Sequence, residues 1–338
     1  MEQTQLQKFE DISALIGNTP LLEIGFKYRG EDRRMFAKAE YYNMTGSLKD
    51  RVAYYILKKA YTDGTISQDD IIAEATSGNT GISFCALGRY LGHDVIIYMP
   101  DWMSSERINL MESYGAQVRL VSKEEGGFLG SIRMTEELAK QGGVFLPCQF
   151  SNESNTKAHY MSTGREIVYQ LGKLGLQADG VVAGVGTGGT IMGLAARLKE
   201  ENPNCKAFPL EPLNSPTLST GYKVGIHRIQ GISDEFIPDL VKLDKLDSIV
   251  SVDDGDAIVM ARMLSENLGV GVGISSGANF LGCVLAQEQL GKDSTVVTVF
   301  ADDNKKYLST DYSKKQKILP GFITNDIELT WMKTYKCM

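Results

Sequence analysis

Twice along this chain a short apolar run gives way to a cluster of Gly, Ser and Thr, and then to a helical pattern. That order of strand, loop and helix is the grammar of a parallel α/β sheet. In the first case residues 70–75 are strand-like, Thr76-Ser77-Gly78-Asn79-Thr80-Gly81 forms the loop, and residues 82–91 are helix-like. In the second, Val181 and Val182 precede Gly184-Val185-Gly186-Thr187-Gly188-Gly189-Thr190, and residues 191–199 follow as a helix. Further strands are expected at residues 95–99, closed by Pro100, and at 117–121, with a helix between them at 104–115. Residues 180–183 and 294–300 are also short β-rich runs, and no internal repeat or low-complexity linker interrupts the series.

A chain of 338 residues is long enough for about two domains. Apolar residues make up 43% and charged residues 23%, so a sizeable core is feasible. The net charge of -7 argues against a broad basic face for nucleic acid. Residues 1–11 are polar and acidic, without the basic start and apolar run of a signal peptide, and no stretch of 18 apolar residues is present. A cytoplasmic protein with no membrane contact is expected. The five cysteines are scattered and odd in number, with no C-x-x-C pair, so neither a disulfide framework nor a zinc site is expected. Cys85, Cys148, Cys205 and Cys283 are expected to be buried thiols. His93, His159 and His227 are far apart in sequence, and no metal site is expected.

Four segments carry chemistry. In Asn43-Met44-Thr45-Gly46-Ser47-Leu48-Lys49-Asp50-Arg51, Gly46 and Ser47 read as a turn and cap before a helix over residues 48–61. Lys49 then sits in the first turn, where a cation opposes the helix dipole. The same field favours the neutral amine that a Schiff base needs. A lone lysine is otherwise an ordinary solvated side chain. The Thr76–Gly81 loop exposes backbone N–H groups at a helix start, a ready site for a carboxylate, although one Ser or Thr there is also an ordinary cap. Glycines at 184–189 let the backbone wrap a phosphate. Gly184, Gly186 and Gly189 also satisfy G-x-G-x-x-G, with Glu211 22 residues on, so a dinucleotide site and an NAD-dependent dehydrogenase remain open; no Lys follows, which excludes a triphosphate loop. Gly273-Ile274-Ser275-Ser276-Gly277 matches the elbow of serine hydrolases, but no His follows it in the chain, as that fold requires.

Taken together and in order, these segments resemble the cysteine synthase and cystathionine β-synthase family, the fold-type II pyridoxal-5′-phosphate (PLP) enzymes. The likeness spans residues 12–310. It includes Ile16-Gly17-Asn18-Thr19-Pro20-Leu21, Met103-Ser104-Ser105-Glu106-Arg107, Cys148-Gln149-Phe150-Ser151-Asn152, Ile229-Gln230-Gly231 and Tyr307-Leu308-Ser309. The resemblance implies an α/β fold of the tryptophan synthase β type, with two three-layer α/β domains and a homodimer. The implied division is a smaller mobile domain at 45–153, a larger PLP-binding domain at 1–44 plus 154–312, and a C-terminal extension at 313–338, expected as an extra helix or a subunit-contact arm.

The same resemblance assigns roles. Lys49 would hold PLP covalently and later move the substrate's α-proton. Gly186, Thr187, Gly188, Gly189 and Thr190 would cradle the phosphate, Asn79 would bond the ring hydroxyl oxygen, and Ser275 would face the ring nitrogen. Thr76, Ser77, Thr80, Gln149 and Gly231 would bind the amino-acid substrate. A neutral serine at the ring nitrogen weakens the electron sink, which suits β-elimination to an enzyme-bound aminoacrylate followed by addition of a nucleophile. The substrate would be L-cysteine or an activated serine, with O-acetylserine sulfhydrylase (cysteine synthase) activity as the alternative. Two departures stand out: Ala75 replaces the usual Pro, and Ser233-Asp234-Glu235 stands where small uncharged residues are usual. A carboxylate there would repel hydrosulfide and could take a proton from water, giving hydrogen sulfide and L-serine. Asp234 is the first choice for that base and Glu235 the second.

Overall fold

The computed structural model describes residues 4–233 and 235–337. Its framework is two sheets. In the larger, seven strands run in the order β11-β1-β2-β10-β7-β8-β9. These are β1 (Leu21–Tyr28), β2 (Glu31–Ala39), β7 (Gly180–Gly184), β8 (Lys206–Pro212), β9 (Val250–Val252), β10 (Val296–Phe300) and β11 (Ile327–Tyr335). In the smaller, β5 (Gln117–Val121), β4 (Val95–Pro100), β3 (Ile71–Ala75) and β6 (Val144–Phe145) are all parallel.

The five strands from β2 to β9 are parallel, while β1 is antiparallel to β2. The β1–β2 hairpin turns on Arg29 and Gly30, both at positive φ. Two left-handed residues make the turn whose twist matches a hairpin. Strand β10 shows why the sheet is covered on both sides. Val296 and Phe300 pack against the helices Asp254–Leu268 and Ile274–Leu290, whereas Val297 and Val299 face Ile191 and Leu194 of the helix Gly189–Glu201. Alternate side chains point to opposite faces of a strand, so a strand buried on both faces is nearly continuous in apolar residues; in β10 the exception is Thr298, whose hydroxyl donates to the Val182 carbonyl at 2.7 Å. A third core joins Ile72, Val95 and Ile97 to Val52 and Ile56 of the helix Lys49–Asp63 and to Phe84 and Leu87 of the helix Asn79–Leu91.

The tail departs from expectation. Residues 327–335 form an edge strand, antiparallel to β1, and not a helix. Gly25 faces Trp331 at a register shift, and a Cβ on Gly25 would lie 2.2 Å from the indole. All five cysteines are free, but the burial expected for Cys148 does not hold; it is exposed, and Cys337 is buried instead.

Candidate active site

The C-terminal ends of β3, β7 and β10 open onto one cavity of about 850 Å³, counting its solvent-filled mouth. Clefts at the carboxyl ends of parallel strands are where open α/β sheets bind ligands. Lys49, Thr76, Ser77, Asn79, Thr80, Gln149, Gly186, Thr187, Gly188, Thr190, Gly231 and Ser275 all line it. Gly189 stands behind that lining, where a Cβ would meet Asn155 Oδ1 at 2.0 Å. Asp234 lies outside the described residues.

Lys49 is the first residue of its helix, and its N–H is capped by Ser47 Oγ at 3.3 Å. The next two residues anchor that turn. Asp50 is buried and accepts from Thr45 N, Thr45 Oγ1 and Ser83 Oγ at 2.6–2.7 Å; burial nonetheless pushes its carboxyl above the ordinary range. Arg51 is buried between two carboxylates, with Nε 2.6 Å from Glu40 Oε2 and Nη1 2.6 Å from Glu166 Oε1. Lys38 Nζ reaches Glu166 at 2.7 Å and the Thr19 carbonyl at 2.6 Å. Burial works to raise Glu40 and Glu166, but Arg51 offsets it and both carboxyls lie below the ordinary range. The loop at residues 17–19 closes the cluster. Asn18 N and Thr19 N donate to Glu166, and Gly17 leaves room for the guanidinium, since a Cβ there would sit 2.9 Å from Arg51 Nη1.

The glycine positions of the loop have no room for side chains. Gly188 is left-handed at φ 84°, and its Cβ would lie 2.4 Å from Val241 Cγ2. A Cβ on Gly186 would lie 2.3 Å from the Gly231 carbonyl. Two residues that sequence reading passed over shape the loop from behind. Asn155 Nδ2 donates to the Gln149 carbonyl and to Thr187 Oγ1, both at 2.9 Å. His159 begins a π-helical turn, His159–Thr163, and its ring nitrogens meet Thr163 Oγ1 at 3.0 Å and Thr190 Oγ1 at 3.2 Å. Such π turns recur at functional sites. Burial, then the charges of Lys49 and Arg51, hold this imidazole well below the usual range, so it is neutral. Nothing local in the sequence marks His159, whereas Asn155 stands three residues beyond the segment Cys148-Gln149-Phe150-Ser151-Asn152, the one signal that points to it.

The second loop is tied to the same frame. Thr80 Oγ1 donates to Gln149 Oε1 at 2.7 Å, and Gln149 Nε2 donates to the Ala75 carbonyl at 2.9 Å. Ala75 N–H donates to Glu74 Oε1 at 2.9 Å, a bond that proline in its place could not make. Glu74 also accepts from Gln149 N–H, and burial raises its carboxyl to about 8. Asn79 gives Nδ2 to Asp302 at 2.6 Å, and its buried Oδ1 has no partner. Arg107, packed at Gly78, lines the cavity with Nε and Nη1 also unpartnered.

The segment at 231–233 enters from the far side. Gly231 and Ile232 line the cavity, and Ser233 is fixed on all sides. Its N–H donates to the Val185 carbonyl at 2.7 Å, its Oγ bonds Ser215 and Thr217, and its carbonyl accepts from His227 Nε2 at 3.1 Å. Glu235 lines an outer cavity of about 1270 Å³ that shares Ser77, Gln230, Gly231 and Ile232 with the inner one, and it pairs with Lys223 at 3.6 Å.

A phosphorylated pyridine aldehyde fits these groups. A loop whose glycines at 186, 188 and 189 have no room for a Cβ leads into the helix Gly189–Glu201, giving N–H groups and a positive dipole end to a phosphate. A primary amine, an orphaned amide oxygen and a hydroxyl at Lys49, Asn79 and Ser275 share the same wall. A dinucleotide fits less well. Glu211, the acid required to bind a ribose, is wholly buried and accepts from Leu218 N–H at 2.8 Å and Ser219 N–H at 3.2 Å.

Comparison with known proteins agrees. The family model described as pyridoxal-phosphate dependent enzyme matches residues 12–302. A hydrogen sulfide-producing enzyme from Fusobacterium nucleatum is 60% identical and superposes with a TM-score of 0.96, covering 98% of this chain and 99% of that one. A crystal structure of a mutant of that enzyme is complexed with an α-aminoacrylate intermediate. A cysteine synthase from Entamoeba histolytica is 35% identical with a TM-score of 0.82, over 96% of this chain and 94% of that one. The cysteine synthase of Staphylococcus aureus (strain N315) is 38% identical over 301 residues, 89% of this chain and 96% of its own length. This chain therefore belongs to the pyridoxal-phosphate dependent enzymes of the cysteine synthase and cystathionine β-synthase type, with PLP as its cofactor and β-elimination and β-replacement as its chemistry.

Proposed function

We propose that this enzyme converts L-cysteine and water to hydrogen sulfide and L-serine. The observation that carries the reading is its 60% identity, over nearly the whole of both chains, to a hydrogen sulfide-producing enzyme. PLP, when bound, withdraws electrons from the substrate's α-carbon so that the Cα–H and Cβ–S bonds can break. Lys49 is the proposed anchor and the group that moves the α-proton; it begins a helix whose dipole favours a neutral amine. Gly186 to Thr190 hold the phosphate, and Asn79 and Ser275 meet the ring hydroxyl and ring nitrogen. Thr76, Ser77, Thr80 and Gln149 orient the substrate carboxylate, and Gly231 contributes to the wall beside it. Support for this division comes from the cavity that all of them but Gly189 line.

Asp234 is the proposed base. It follows Ser233 in the sequence, two residues after the cavity-lining Ile232. The sulfur leaves first, as hydrosulfide that is protonated to hydrogen sulfide; a carboxylate at 234 then takes one proton from water as its oxygen attacks the substrate's β-carbon, and Lys49 returns a proton to the α-carbon. Glu235 is the weaker choice, because its carboxylate is turned to Lys223 in the outer cavity. We further infer that residues 45–153 close over the larger unit at 1–44 plus 154–312, with 313–338 as an extension. The enzyme works in the cytoplasm as a homodimer.

Asp234→Asn keeps the size of the side chain and removes the base. Serine formation from cysteine should fall at least about 100-fold, the low end of general-base contributions, while loss of the α-proton, followed by stopped-flow absorbance, changes far less. Equal serine rates in wild type and Asp234→Asn exclude this residue. Much faster turnover of O-acetylserine plus sulfide than of cysteine makes cysteine synthase the better description.

A further inference from the structure

Asn155 and His159 stand behind the glycine loop, both wholly buried. Asn155 lies on the helix Glu153–Ala158, and His159 opens the π turn that continues it, one turn further on. This segment packs hard against the helix Gly189–Glu201: a Cβ on Gly193 would lie 2.4 Å from the Thr156 carbonyl and 2.8 Å from His159 Cβ. Each of the two side chains ends on a hydroxyl that belongs to a cavity-lining residue, Asn155 on Thr187 and His159 on Thr190.

A hydroxyl has one proton to give and two lone pairs to fill. At Thr187 both lone pairs are taken. Asn155 Nδ2 donates to Oγ1 at 2.9 Å, and Gly189 N–H donates to it at 3.4 Å. The Asn155 amide cannot be reversed. Its nitrogen spends its other hydrogen on the Gln149 carbonyl at 2.9 Å, where an amide oxygen would face a second acceptor. Thr187 therefore keeps its own proton for the cavity. At Thr190 the imidazole decides. It is buried and neutral, so one ring nitrogen donates and the other accepts. Nδ1 meets Thr163 Oγ1 at 3.0 Å and Nε2 meets Thr190 Oγ1 at 3.2 Å. With Nε2 as acceptor, Thr190 spends its proton on the ring and turns lone pairs to the cavity. With Nε2 as donor, Thr163 gives its proton to Nδ1, and Thr190 keeps its own for the cavity. An anion in the cavity selects the second arrangement, because only that one offers it a hydrogen. We propose that Asn155 and His159 are positioning residues: each donates from behind to one threonine hydroxyl, so that both hydroxyl protons are left for the cofactor's phosphate. The inference rests on the assignment of residues 186–190 to that phosphate.

Two measurements test it, neither of them turnover. In holoenzyme carrying nitrogen-15 histidine, NMR should show His159 protonated at Nε2 and bare at Nδ1, its signals told apart by variants at His93 and His227. The reverse tautomer overturns the inference. The second is titration of the apoprotein with PLP. Thr190→Val and His159→Phe should each weaken binding about tenfold, the low end for a hydrogen bond to a charged group. Because His159 acts through Thr190, the double variant should lose little more than either single one; losses that multiply to about a hundredfold overturn the inference. Asn155→Leu and Thr187→Val should overlap in the same way. Pyridoxal, which lacks the phosphate, should bind His159→Phe and wild type alike. Equal weakening of pyridoxal and PLP marks a merely structural role and overturns the inference. If the variants do not fold, the wild-type tautomer decides. A wild-type protein that binds pyridoxal as tightly as PLP overturns instead the phosphate assignment on which the inference rests.

Discussion

Arg51 offers the sharpest test of how the Lys49 helix is held. Its side chain is 1% exposed and that of its partner Glu40 is 0% exposed, so neither charge has access to water. Arg51→Met keeps the length and apolar bulk but leaves Glu40 and Glu166 facing Lys38 alone. Removing one partner of a buried ion pair costs about 3–5 kcal/mol, because the remaining charge is uncompensated. A chain of 338 residues has an unfolding entropy of about 0.7 kcal/mol per degree, so the melting temperature should fall about 4–7 °C. The sign of the pH dependence is fixed by the carboxyls. Glu40 and Glu166 are held below the ordinary range, so their contribution is fully present above the unfolded value of about 4.3 and is lost as pH falls through their folded values. In Arg51→Met that contribution is already gone. The gap between variant and wild type should therefore be widest at neutral pH and narrow only as pH falls below about 4, through the depressed folded values. Differential scanning calorimetry at neutral pH and below about pH 4 measures it. A shift under 1 °C, in units of the roughly 4 °C expected, or a gap that widens in acid, refutes the reasoning.

Three further outcomes follow from the site. Lys49→Ala should fold and take up PLP only reversibly, with the covalently held cofactor lost on gel filtration and turnover nearly abolished; retained colour and rate would assign the anchor to another lysine. Gly188→Asp forces a side chain into a left-handed position 2.4 Å from Val241 and adds charge beside the phosphate loop. The strain of about 1–2 kcal/mol and the like-charge repulsion together should weaken PLP binding at least about tenfold in a titration of the apoprotein, with no gain of NAD binding. His159 is held neutral, with its folded value depressed. Its contribution is present above the unfolded value of about 6.5 and is lost below it, by up to about 1.4 kcal/mol per pH unit. His159→Gln should flatten that part of the urea-unfolding profile, and an unchanged slope would contradict it.

What the sequence disclosed was local. Strand, loop and helix could be read at β3 and β7 because both faces of those strands are buried and the loops that follow permit little but Gly, Ser and Thr. The helix over residues 48–61 was legible to within two residues, since Gly64 ends it in a left-handed cap. Strand β11 was not legible. It lies at a sheet edge with most of its side chains in contact with water, and its partner β1 stands some 300 residues earlier, so it carries no strong apolar pattern. The carboxylate of Asp302 escaped notice for a similar reason. Its partners Asn79 and Tyr307 are joined to it by the fold, 223 and 5 residues away, and nothing about an Asp after a strand distinguishes a buried one from a solvated one. The exposure of Cys148 likewise depends on the left-handed turn it occupies, at φ 53°.

The reaction itself is tested most directly by its products. Wild-type holoenzyme given L-cysteine in water enriched in oxygen-18 should release hydrogen sulfide and L-serine in equal amounts, with the label in the serine hydroxyl by mass spectrometry. Sulfide accompanied by pyruvate and ammonia instead of labelled serine, or turnover confined to O-acetylserine and sulfide, would contradict the account.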